Sequence, residues 1–155
     1  MTDRAAAGMP PATRLDAKRA FDVIVSGATL AVLSPALAVI AALVKRDDPS
    51  GPVLFTQERV GQGGMPFRIH KFRTMRPDSP GLQVTSDGDP RVTRIGAILR
   101  KTKLDELPQL WDVFVGRMSL VGPRPEVPKY VGLWPEQHRD LILSVRPGIT
   151  DPASV

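Results

Sequence analysis

The 155-residue chain has no cysteine, two histidines, one tyrosine and two tryptophans. Without cysteine there is no disulfide framework, thiolate zinc site or cysteine nucleophile. His70 and His138 lie far apart and outside any His-Glu-x-x-His spacing, so a metal here would be held by oxygen rather than imidazole. The single tyrosine leaves few platforms for stacking bases, which argues against a nucleic-acid module. Gly61-Gln62-Gly63-Gly64 lacks the GxxxxGK[ST] pattern and does not lead from a strand into a helix, which excludes a P-loop. The length suits one domain with one modest core, and therefore one site.

What is present is concentrated positive charge and one long apolar run. The net charge is +5, and between Arg59 and Lys103 ten Lys/Arg face Asp78, Asp87 and Asp89, a local net of +7. Such a stretch favours phosphate-bearing partners, a solvated basic face being the plain alternative. Residues 1–17, rich in Ala, Pro and small polar residues without periodicity, read as a disordered leader. Phe21 to Val44 is apolar apart from Asp22 and is bracketed by Lys18-Arg19 and Lys45-Arg46. As one helix it would reach ~36 Å, enough to cross a hydrocarbon core of about 30 Å. Ser34-Pro35 interrupts it: proline removes a donor and opposes the Ala31 carbonyl, and the Ser34 hydroxyl is expected to bond back to Leu30. Each arm, roughly 15 to 20 Å, is too short to cross alone. A re-entrant hairpin, a kinked span and a buried helix all remain, and basic pairs at both ends favour the hairpin with both ends cytoplasmic.

Beyond Asp48-Pro49-Ser50-Gly51-Pro52, Val53–Val60 and Pro66–Met75 read as a β-hairpin whose period of two puts Phe67, Ile69, Lys71 and Arg73 on one face. Two adjacent cations suit a diphosphate. Asp89-Pro90 reads as the cap and first residue of a basic amphipathic helix running to about Lys101. Leu104-Asp105-Glu106-Leu107-Pro108 places two acids at the start of a further helix, where its dipole and nearby cations are expected to keep both ionised. Acids in that position are more often structural than catalytic. Pro123 and Pro125 hold Arg124 in a stiff backbone suited to bidentate phosphate binding, and Lys129–Val145 reads as one helix.

Several segments in order resemble the bacterial sugar transferases, the monotopic phosphoglycosyl transferases: KRAFD at 18–22, SP at 34–35, FTQERVG at 55–61, KFRTM at 71–75, LDELPQLW at 104–111, MSLVGPRP at 118–125 and RPGIT at 146–150. The resemblance implies an α+β protein. A re-entrant membrane helix at 18–46, broken at Ser34-Pro35, would precede a catalytic domain at 47–155, small and mainly helical with a β-hairpin and surface amphipathic helices. It implies transfer of a sugar-1-phosphate from a UDP-sugar to polyprenyl phosphate at the cytoplasmic face of the bacterial inner membrane. Asp105 would be the nucleophile that becomes a sugar-phosphoryl aspartate with release of UMP, and Glu106 the Mg²⁺ ligand. Lys71, Arg73, Arg100 and Arg124 would bind phosphate. Membrane lipids would surround the helix, downstream glycosyltransferases would take the product, and no nucleic acid is expected.

Two residues depart from the family pattern: Arg117 stands where an acid is usual, and Asp112 where asparagine is usual. The family also continues past RPGIT, so the chain is expected to be truncated at its C-terminus. The alternative function is accordingly an inactive truncated homologue that binds membrane and anionic ligands.

Overall fold

The computed structural model describes residues 17–76 and 89–151, so the expected leader, apart from Ala17, and the acids Asp78 and Asp87 lie outside the described residues. The architecture mixes helix and sheet around one long apolar helix. That helix, α1 (Ala17–Asp47), carries Pro35 inside it and is long and apolar enough to cross a membrane. Helix continues through the position where the sequence predicts a break. Pro35 offers no N–H to the Ala31 carbonyl four residues back, and the Ser34 hydroxyl donates to that same carbonyl at 2.8 Å. The expected partner was Leu30; the structure selects Ala31 because its oxygen is the acceptor that proline leaves unfilled.

Both arms of α1 pack on the rest of the chain, while Ala31, Val32, Ser34, Pro35 and Ala36 at its middle are exposed. Toward the C-terminal end Leu37, Ile40, Ala41 and Val44 meet Phe72, Leu99, Val53 and Ile95. Toward the N-terminal end Gly27 lies against Phe114, close enough that a Cβ there would sit 3.1 Å from the ring.

Strands β1 (Leu54–Val60) and β2 (Pro66–Phe72) form the expected antiparallel hairpin, with Phe55 opposite Lys71 and Gln57 opposite Ile69. Its turn needs glycine: Gly63 and Gly64 have φ of +66° and +76°. Helix α2 (Arg94–Thr102) starts later than Asp89-Pro90 suggested. Thr93 is its cap, its side chain accepting from the Gly96 amide, while Asp89 is paired with Arg91 and Val92 bridges Met75. Pairing with Met75 keeps residue 92 extended and so postpones the helix.

After α2, Lys103 turns the chain with φ +60°, the only positive φ outside glycine among the described residues. A 3₁₀ turn over Leu104–Glu106 precedes α3 (Gln109–Phe114), whose N-terminal boundary is Pro108. The acids therefore lie in a separate turn ahead of this helix and do not cap it. Strand β3 (Ser119–Val121) pairs in parallel with β4 (Gly148–Thr150), a contact that strand periodicity did not announce. The predicted helix over 129–145 is two, α4 (Pro128–Val131) and α5 (Glu136–Leu143), divided where Pro135 removes a helical donor. Ile69, Val113 and Met118 form a second buried cluster joining β2 to α3 and the approach to β3.

The β3–β4 pair depends on a backbone approach that admits no side chain. A Cβ on Gly148 would lie 2.1 Å from the Gly122 amide nitrogen. Gly148→Ala is thus expected to cost about 1–3 kcal/mol through overpacking. Thermal unfolding of the purified protein should show a lower midpoint than wild type; an equal midpoint would mean that this approach is not required.

Candidate functional site

A cavity of about 770 Å³ opens between the hairpin, the last turn of α2 and the 104–106 turn, with Pro52 of the loop after α1 at its edge; its wall includes Lys71, Arg73, Arg76, Arg100, Lys103, Asp105 and Glu106. Five of those seven side chains are cationic. The concentration of Lys/Arg seen along the sequence is therefore, in good part, the lining of one concave surface, where fixed positive charge attracts an anionic ligand.

The two acids have opposite environments. Asp105 is buried, 9% exposed, and its Oδ1 has no hydrogen-bond partner. Burial pushes its carboxyl up, Lys71 opposes that, and the neighbouring Glu106 charge adds to it. Glu106 is also partly withdrawn from water, which disfavours its charge, but the hydrogen bond and charge of Lys71, then Arg124, outweigh this and hold it below the usual carboxylate range. Its Oε1 accepts from Lys71 Nζ at 2.7 Å and from Arg124 Nη2 at 3.0 Å. The sequence predicts that a helix dipole and nearby cations keep both acids ionised; two cations do favour the charged form of Glu106, whereas burial sets Asp105 against its own.

Lys71, Arg100 and Arg124 reach this region from three parts of the chain. Lys71 projects from β2 opposite Phe55, Arg100 lies in the last turn of α2 with Nε donating to the Thr74 hydroxyl at 2.8 Å, and Arg124 stands 54% exposed at its side chain between the two prolines. Arg73 differs. It follows the last residue of β2, where the two-residue alternation ends, and its guanidinium is directed into the turn after α1. Nε donates to the Pro52 carbonyl at 2.6 Å, Nη2 to the Asp48 carbonyl at 2.5 Å, and Nη1 to the Asp48 carboxylate. That carboxyl is held at about 2, chiefly by hydrogen bonds from Ser50 and then by Arg73. Arg73 thus builds the cavity wall with donors already engaged by protein oxygens.

Arg59 received no role from its sequence, although the period of two along FTQERVG aligns it with Gln57 and Phe55 on the Lys71 side of the hairpin. Its Nη2 donates to Gln57 Oε1 at 2.8 Å and its Nη1 to the Pro125 carbonyl at 3.2 Å, which braces the Arg124 loop. The two residues that depart from the family pattern face each other. Arg117 Nη1 is 3.5 Å from Asp112 Oδ1, and the fully buried Asp112 also accepts from the His70 amide at 3.0 Å. The exchanged charges compensate locally, and Asp112 satisfies an edge donor of β2.

Among the described residues no cluster of three or more His, Asp or Glu side chains is placed to hold a metal ion. Glu106 carries both of its bonds on Oε1. Its Oε2 takes part in neither bond, and a carboxylate oxygen of that kind fits Mg²⁺, which commonly takes one or two carboxylates and completes its shell with substrate phosphate and water.

The model of the family described as bacterial sugar transferase matches residues 13–155. Among similar proteins, UDP-N-acetylgalactosamine-undecaprenyl-phosphate N-acetylgalactosaminephosphotransferase of Aeromonas hydrophila is 43% identical over 89% of this chain and 33% of its own length. The exopolysaccharide production protein PSS of Rhizobium leguminosarum bv. phaseoli is 46% identical over 89% of this chain and 72% of its own. UDP-glucose:undecaprenyl-phosphate glucose-1-phosphate transferase of Escherichia coli (strain K12) is 43% identical over 89% of this chain and 30% of its own. The chain thus spans about a third of the length of the Aeromonas and Escherichia relatives.

The environment of Asp105 has a consequence for stability. A carboxyl whose folded value is raised supports the fold while protonated, and that support is lost as pH rises through the folded value. Asp105→Asn is therefore expected to match wild type in acid and exceed it near neutrality. Thermal midpoints across the acid-to-neutral range test this, and a mutant less stable than wild type at neutral pH would contradict it.

Proposed function

The chain belongs to the bacterial sugar transferase family, and from that premise we propose that it transfers a sugar-1-phosphate from a UDP-sugar to polyprenyl phosphate through Asp105. The observation that carries this reading is the buried, unpartnered Asp105 Oδ1 in a cavity walled by cations, beside a Glu106 held charged. A free carboxylate oxygen withdrawn from water suits nucleophilic attack better than a solvated one. The names of the relatives point the same way, two of them specifying undecaprenyl phosphate as acceptor and a UDP-sugar as donor.

In the first step an Asp105 oxygen forms a bond to the donor's β-phosphorus. The bond from that phosphorus to the bridging oxygen breaks, and UMP departs with the electron pair. In the second, a phosphate oxygen of the polyprenyl acceptor attacks the phosphoryl aspartate, restoring the carboxylate and giving a polyprenyl diphosphate sugar. Lys71, Arg100 and Arg124 bind the diphosphate and stabilise charge that develops on it, while Arg73 fixes the wall behind them. Lys71 has a second effect, since its charge favours the ionised Asp105 that attack requires. Mg²⁺ bound through Glu106 would neutralise diphosphate charge.

The acceptor is a lipid, so the site must stand at a membrane surface. We read α1 as a re-entrant helix whose exposed middle at Ser34-Pro35 enters the bilayer. The support is that both arms dock on the same body, through Phe114 at one end and Phe72 and Leu99 at the other. A helix whose two ends rest on one polar domain does not place those ends on opposite sides of a bilayer. On this reading the domain sits at the cytoplasmic face of the bacterial inner membrane among its lipids, and glycosyltransferases that extend lipid-linked sugars consume the product.

Membranes carrying the full-length protein, incubated with UDP-sugars, polyprenyl phosphate and Mg²⁺, are expected to release UMP, and donor labelled in the β-phosphate should label Asp105. Asp105→Asn should lower turnover by on the order of a thousandfold or more. UMP release that survives this change would sink the mechanism. A separate expectation concerns pH: because Asp105 must be ionised and its carboxyl is pushed up, activity should begin to fall at a higher pH than for an ordinary carboxylate. Lys71→Met removes the cation that opposes burial, so the acid limb of kcat/KM should move further toward neutral pH; an unmoved limb would separate Lys71 from Asp105.

A further inference from the structure

The first turns of α1 carry three ionic side chains with no part in the chemistry above: Lys18, Arg19 and Asp22. Basic residues flanking an apolar helix commonly face headgroups. In this structure they face protein. Arg19 is 8% exposed and donates from Nη1 to the Val113 carbonyl at 2.6 Å and from Nη2 to the Phe114 carbonyl at 2.8 Å. Those carbonyls lie at the end of α3, where a helix runs short of internal donors, and the Val113 oxygen also accepts from the Gly116 amide at 3.0 Å. Gly116, with φ +91°, passes so near that a Cβ there would lie 3.0 Å from Arg19 Nη2.

Asp22 is 2% exposed and grips the neighbouring element. Its Oδ2 accepts from the Ser119 hydroxyl at 2.8 Å and its Oδ1 from the Leu120 amide at 3.2 Å, both in β3. Lys18 lies 3.6 Å from the same carboxylate, bonds the Ser119 hydroxyl and donates to the Val121 carbonyl at 3.3 Å. Ser26, fully buried, donates to the Asp22 carbonyl at 2.5 Å. Positions 19, 22 and 26 fall on one stripe of the helix.

The two elements held in this way lead to the two sides of the site. Helix α3 follows directly from the turn bearing Asp105 and Glu106, and β3 runs through Gly122-Pro123 into Arg124, with little slack in a backbone stiffened by two prolines. Arg19 therefore fastens the acid side to α1, and Asp22, one helical turn along, fastens the arginine side. The Glu106–Arg124 bond at 3.0 Å closes the circuit.

We propose that Asp22 is a positioning residue: with Arg19 on the same helical stripe, it fixes where Arg124 stands relative to Glu106 and thereby sets the affinity for the donor's diphosphate. The proposal rests on Arg124 as a phosphate-binding residue. It makes the docked membrane helix part of the site's geometry as well as an anchor.

The test is UDP binding with Mg²⁺, by calorimetry on the full-length protein in nanodiscs, in a double-mutant cycle with thermal midpoints measured in parallel. Asp22→Ala is expected to weaken UDP binding about tenfold, within the range for residues in one network. Arg124→Ala should weaken it at least as much, and the double variant no further than Arg124→Ala alone. Ser119→Ala removes one of the two bonds to Asp22 and serves if Asp22→Ala does not fold; a smaller loss, about threefold, should likewise vanish in the Arg124→Ala background. Wild-type affinity in Asp22→Ala or Ser119→Ala alongside a weakened Arg124→Ala overturns the proposal and leaves the phosphate role of Arg124 standing. Additive losses in the double variants overturn it too, since Asp22 would then act by another route. Unchanged affinity in Arg124→Ala overturns the phosphate role itself and the proposal with it.

Discussion

Glu106 Oε1 is a single acceptor shared by Lys71 from β2 and Arg124 from the loop after β3. Three segments distant along the chain meet at that oxygen, at the edge of the cavity that Lys71 and Glu106 line. Ion pairs taken partly out of water return little net stability, since desolvation offsets most of the attraction. What this one contributes is arrangement: two cations are held on Glu106, the residue next to Asp105. Preorganised charge of that kind stabilises a transition state without reorganisation at the moment of reaction.

Asp105 shows the complementary cost. Its oxygen is left without a partner in a place where a partner would have stabilised the fold, and burial works against its charge. Residues held in unfavourable states tend to belong to function, because the surrounding structure must sustain them. The neighbouring Lys103, with φ +60°, is a second local strain within the same turn. Support comes from well-packed material on either side, with Leu99 of α2 and Val113 of α3 buried.

The long apolar helix α1 is tied to this arrangement by polar contacts rather than by apolar packing alone. Arg19 and Asp22 would be expensive in a hydrocarbon environment, but each is buried and hydrogen-bonded to backbone groups of the rest of the chain. At the other end Asp47 Oδ2 accepts from the Ile95 amide and so serves the first turn of α2. Between these two polar attachments the apolar surface around Ser34-Pro35 is left facing outward.

Local chemistry was enough to read the apolar helix, the glycine-linked hairpin, the stiff presentation of Arg124 and the concentration of positive charge, because each depends on residues a few positions apart. The acid pair was also visible, though its meaning came from the motifs around it. What the residues in order did not determine was every relation across long separations. Arg73 looked equivalent to Lys71 by strand period, but it lies one residue past the strand and the turn around Asp48 claims it. A dipole and nearby cations act alike on Asp105 and Glu106 when only the order of residues is known, whereas burial of Asp105 and the cations from positions 71 and 124 on Glu106 set them apart. Arg19, Asp22 and Arg59 read as a flank, a lone charge and a strand residue until their partners, some 65 to 100 positions away, were in place. The sequence by itself determined which segments could be helix, strand or turn and that phosphate chemistry was in prospect. Only the tertiary structure decided which charges face the cavity and which are consumed in holding it, because desolvation and hydrogen bonding depend on neighbours in space.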